Sequence, residues 1–193
     1  KVNDTWSCAV ILRGLTDYRE ATRILKRKPI IELLDEIIEK LRIGLDRNVD
    51  AQGVMQSFRG GRLPHWGSLI FDLFPEHPAL KPTLRKMMEN YDPGMKLYNM
   101  HGVTRYAEKS FPWANYWAAR SFSRVGDSTA AKLLWNTVES VNCFGGIPER
   151  VWYHGELFNH WFQTGHGSMV WAVNGILANA TDNTLRVLSG SPK

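Results

Sequence analysis

The sequence has 193 residues, 44% hydrophobic and 22% charged, which suits one folded domain and is too apolar for wholesale disorder. Two cysteines, Cys8 and Cys143, exclude a disulfide-rich or zinc-ribbon scaffold, and no apolar run reaches the about 18 residues of a membrane-spanning helix. The net charge of +5 would suit nucleic acid, but the one basic cluster, Arg23–Lys28, is short and runs into an acidic helix, so it reads as a solvated helix end.

In chain order, Trp6–Leu15 and Asp17–Arg27 read as helical segments broken near Gly14-Leu15-Thr16. Pro29 sits where a first helical turn tolerates it. From Ile30 to Asp46 the apolar residues Ile30, Leu34, Ile37 and Leu41 share one face, flanked by Ile31 and Ile38, with Glu32, Asp35, Glu36, Glu39 and Lys40 opposite. A glycine-rich loop from Asp46 to Pro64 encloses a short strand at Val54–Phe58. Helices follow at His65–Phe74 and Leu80–Asn90. A second irregular segment runs from Lys96 to Pro112. Trp113–Val125 and Ser128–Val141 form a helical pair joined by Gly126-Asp127, with Asp127 or Ser128 as the cap. A third loop, from Gly145 to Asn159, precedes a final helix from about Gly165 to Ala180. The expected fold is therefore all-α: residues 1–184 form one helical domain, and residues 185–193 a frayed tail.

Six of the eight tryptophans fall between Trp113 and Trp171, among loops rich in glycine and polar side chains. Such a surface suits a ligand with flat apolar faces and hydroxyl edges, which describes a sugar. Glu149, in Gly145-Gly146-Ile147-Pro148-Glu149-Arg150, sits on a loop stiffened by proline, where a general base could face a water. The plainer alternative is an ion pair with Arg150. Arg105, Tyr106 and Glu108, ahead of Trp113, offer a fork of donors, a hydroxyl, an acceptor and an apolar platform. Trp152 follows Glu149 closely, and His166 lies between two glycines at the start of the last helix. Trp117 and Trp135 read as core. No metal-ligand spacing, phosphate loop or nucleophile elbow occurs, so no metal and no cofactor is expected. The triplets beginning at Asn3 and Asn179 are formal glycosylation acceptors, read here as chance occurrences, and the compartment stays open.

The ordered series Gly102-Val103-Thr104-Arg105-Tyr106, Glu108, Pro112-Trp113, Gly126-Asp127, Ile147-Pro148-Glu149-Arg150 and Gln163–His166 resembles the family-15 glycoside hydrolases. These are the glucoamylases and their relatives among the six-hairpin, (α/α)6-barrel glycosidases. The resemblance runs from Val54 to Ala180. It implies helical hairpins making about half of the toroid, the C-terminal half, beginning just beyond the Trp-Glu segment that holds the family's general acid. It further implies inverting hydrolysis of α-glucosidic bonds in an oligosaccharide or other glucoside. Glu149 would be the catalytic base, and Arg105, Tyr106, Glu108, Trp113, Trp152 and His166 would contact substrate. Arg150 departs from the family, where glutamine is common. The helix faces left bare would be covered by an N-terminal half-barrel or by a second copy of the chain. Neither nucleic acid nor membrane is expected as a partner. The alternative is a non-catalytic carbohydrate-binding or regulatory protein that keeps the scaffold.

Overall fold

The first helix, α1 (Thr5–Ile24), is continuous, and the break expected near Gly14 is absent. A glycine inside a helix costs about 1 kcal/mol relative to alanine without ending it. Thr16 follows on without breaking the helix, its hydroxyl donating back to the Leu12 carbonyl at 2.8 Å. The end comes at Lys26, which takes a left-handed conformation (φ 55°). There the Arg27 N–H reaches back to the Thr22 carbonyl at 2.9 Å. Arg23, in this last turn, is exposed and pairs with Glu20, as expected of a solvated helix end. The computed structural model describes residues 5–57, 73–89, 91–92, 97–98, 109–138, 145–152, 157–181 and 184–192.

The second helix, α2 (Lys28–Asp46), returns along α1 as a hairpin. Its buried stripe is Leu34, Ile38 and Leu45, whereas Ile30 and Ile37 are each 37% exposed. The apolar arc seen in the sequence is wider than the surface its neighbours cover, so its edge stays in solvent. The loop beyond is tied at both ends. Thr5 donates its hydroxyl to the Gln56 carbonyl at 2.5 Å and accepts from the Asn48 amide at 2.8 Å. The strand expected at Val54–Phe58 is reduced, within the described residues, to a single antiparallel bridge between Val49 and Met55. Met55 N–H then reaches the Thr83 hydroxyl at 2.8 Å on α3 (Leu80–Met88). The helix expected at His65–Phe74 lies outside the described residues apart from its last two positions.

Three helices make the second part of the core. The central one, α4 (Pro112–Arg124), starts on Pro112 and buries nearly every residue it has. Both α5 (Thr129–Val138) and α6 (Gln163–Leu177) lie against it. Asp127 accepts the Thr129 N–H at 2.8 Å, which is the acidic cap anticipated in the turn. Trp117 is core as expected, 8% exposed, with its indole N–H on the Ser168 hydroxyl at 2.8 Å. Trp135 is not core. It is 67% exposed, because α5 buries only its Ala130, Leu133 and Thr137 face.

Short antiparallel strands connect these helices: β1 (Tyr91–Asp92) with β2 (Leu97–Tyr98), and β3 (Lys109–Ser110) with β4 (Arg150–Trp152) and β5 (Leu157–Phe158). The last helix ends at Leu177 rather than Ala180. The next residues turn into β6 (Ala178–Thr181), paired with β7 (Thr184–Val187). The frayed tail is thereby corrected. Residues 184–187 are a strand, and the buried Ser189 hydroxyl donates to the Ser123 carbonyl. Asn179 is fully buried and accepts a hydrogen bond from Arg124, so this acceptor side chain is inaccessible in the folded chain, while Asn3 lies outside the described residues. Among the described residues the molecule is mostly helical, and no helix is long and apolar enough to cross a membrane.

Candidate functional site

Glu149 emerges from three buried residues, Gly146, Ile147 and Pro148, immediately before β4. Its main chain is fixed on both sides. The N–H points at the carbonyls of Phe158 and Asn159, at 3.1 and 3.2 Å. The carbonyl accepts the Trp113 indole N–H at 3.0 Å. Because β3 runs directly into α4 and pairs with β4, the small sheet sets the Glu149 loop beside the first turn of that helix.

The Glu149 side chain is 20% exposed. Oε1 accepts from Arg150 twice, from Nε at 3.2 Å and Nη2 at 3.0 Å, and Oε2 accepts from the Asn159 amide at 3.3 Å. A carboxylate has roughly four lone-pair sites. Among the described residues three are used, which leaves one on Oε2 for a water. Arg150 is itself held, its guanidinium 4.9 Å from the Phe158 ring and 5.9 Å from that of Phe111. Asn159 has a φ of 51°, a left-handed conformation that asparagine adopts more readily than most residues. The plainer alternative for Glu149, an ion pair with Arg150, is thus present, and it shapes the site without closing it.

Trp113 is corrected. Expected as an open apolar platform for substrate, its ring is 7% exposed and packs against Trp117 at 4.4 Å and Phe111 at 5.6 Å between centroids. Burial of so large a ring at a helix start outweighs the value of leaving it open. His166 spends both ring nitrogens on main chain: Nδ1 faces the Phe162 carbonyl at 3.0 Å, and Nε2 accepts the Ile147 N–H at 3.4 Å. The Ile147 carbonyl accepts the Phe162 N–H at 3.1 Å. His166 therefore acts as a strut between α6 and the Glu149 loop. Trp152 lies in β4 opposite Lys109, and its side chain is outside those described. Arg105, Tyr106 and Glu108 lie outside the described residues.

The residues that complete the Glu149 environment, Asn159, Phe111 and Phe158, were not singled out in the sequence. Asn159 carried the one usable signal, an asparagine in a turn just before a helix. A separate cavity of about 800 Å³ lies between α1, α2 and residues 73–79, and none of its lining residues belongs to the Glu149 loop. No cluster of three potential metal ligands occurs among the described residues. No family model matches the chain, and no curated protein matches it either.

Proposed function

We propose that this chain is the base-bearing, C-terminal half of an (α/α)6-type inverting glycoside hydrolase acting on α-glucosidic bonds. The observation that carries the reading is the Glu149 carboxylate, pinned by main chain and side chain yet keeping, among the described residues, one acceptor position open on Oε2. Glu149 takes a proton from the water held there, and the water oxygen attacks the anomeric carbon. A general acid on the opposite face of the sugar, supplied by the other half of the toroid, protonates the departing glycosidic oxygen. The two carboxyl groups then stand about 6.5–9.5 Å apart, which leaves room for the water. The order of the sequence segments from Gly102 to His166 supports the same reading.

The Glu149–Arg150 ion pair favours a second reading, a sugar-binding protein without turnover, because both acceptor positions of Oε1 are committed to a guanidinium rather than to a water. Maltotetraose hydrolysis followed by NMR separates the two. The hydrolase releases the β-anomer first, and Glu149→Gln lowers its rate by at least about a hundredfold while sugar binding persists. Binding without turnover in the intact protein, or initial release of the α-anomer, overturns the inverting-hydrolase reading.

A further inference from the structure

Trp161 lies just beyond the left-handed turn at Asn159 and is 59% exposed. One face of its indole is backed by the imidazole of His166, with ring planes 9° apart and centroids 6.2 Å apart. That imidazole is locked to Phe162 and Ile147 through both nitrogens, so the backing ring, on α6, is fixed against the loop that presents Glu149. Phe158, 49% exposed, lies on the same short connection and holds Arg150 against its ring. An indole backed by a fixed neighbouring ring and left open on the other side has less conformational freedom to lose when a ligand covers it. The ligand that matches has a flat face of C–H groups and an edge of hydroxyls.

We infer that the open face of Trp161 is a second sugar position, stacking a pyranose ring of the same oligosaccharide beyond the bond next to Glu149. This rests on the carbohydrate reading above, but not on its catalytic part. The Asn159 amide, two residues before Trp161, bonds the Glu149 carboxylate and so joins the two positions through one turn. The platform would therefore select for chain length: a disaccharide gains little from it, and a longer oligosaccharide gains a stacked ring.

The experiment compares maltose with maltotetraose on the intact protein, by calorimetry and by steady-state hydrolysis. Wild type is expected to bind maltotetraose about ten times more tightly than maltose, a difference within the range of one aromatic stack. Trp161→Ala removes that preference, raising KM for maltotetraose with kcat and melting temperature unchanged, and Trp161→Phe restores much of it. If Trp161→Ala keeps the full preference while hydrolysis proceeds, the platform is wrong and the hydrolase reading stands. If the preference depends on Trp161 but no turnover occurs, the platform stands and the catalytic reading falls. If wild type binds neither sugar, both are overturned.

Discussion

Tyr116 sits fully buried in the middle of α4, and among the described residues its hydroxyl meets no hydrogen-bond partner. Loss of solvent raises its ionisation to about 12. In the unfolded chain the same phenol ionises near 10. Below that pH both states hold the proton, and the group adds no slope. Between the two values the folded chain keeps a proton that the unfolded chain has lost, so stability falls by about 1.4 kcal/mol per pH unit as the pH rises. Tyr116→Phe is expected to remove this contribution and to raise stability at neutral pH by about 1 kcal/mol, because it deletes an orphaned buried hydroxyl. Urea unfolding of both proteins at pH 7 and near pH 11 checks both statements. A phenylalanine variant less stable at pH 7 would mean that the hydroxyl has a partner after all.

At the scale of elements, the contact between α6 and the Glu149 loop depends on Gly165. A Cβ placed there would lie 2.8 Å from Cγ2 of Ile147, whose side chain is 1% exposed and whose main chain is tied to His166 and Phe162. Gly165→Ala is expected to cost about 1–3 kcal/mol by overpacking and to lower any turnover by shifting Glu149. Gly167→Ala, two residues on with open space around it, is expected to gain about 0.5–1 kcal/mol from helix propensity. Thermal melts of the pair test the contact, and equal melting temperatures would show that the loop yields freely. The helices were legible because their cues are local: the apolar period of α2, Pro112 at the start of α4, and Asp127 in the turn before α5. The sheet that positions Glu149 was not legible, since β3 and β4 are two and three residues long and pair residues 41 and 43 positions apart in sequence. The rigid approach to Glu149 was legible from the glycine pair and proline just before it. The burial of Trp113 was not, because an indole at a helix start looks the same in sequence whether it faces solvent or Trp117.

For the whole molecule, burial is uneven. The middle helix α4 is enclosed by α5 and α6, whereas α1 and α2 leave Ile11, Tyr18, Ile24 and Leu33 in solvent, each more than half exposed. Amides whose opening requires the core to separate exchange at the global rate, and those on lightly covered elements exchange through local opening. Hydrogen exchange is accordingly expected to be slowest in Pro112–Arg124 and clearly faster in the last turns of α1. Equal protection in α1 and α4 would show that the two parts of the core open together.

Near its C-terminus the chain passes Gly190, with a φ of 82°, where an added Cβ would lie 2.8 Å from both the Asp127 carbonyl oxygen and the Ala130 Cβ, and 3.3 Å from the Ser123 Cα. None of these is the tip of a flexible side chain that could swing aside, and the backbone angle is one that L-residues avoid. Leu185, in β7, is 66% exposed and carries no such constraint. Evolution would leave a recognisable trace of that difference. Across diverging descendants of this sequence, position 190 should stay glycine long after the side chain at position 185 has drifted, and this fixed column would mark where residues 189–190 clasp the turn between α4 and α5.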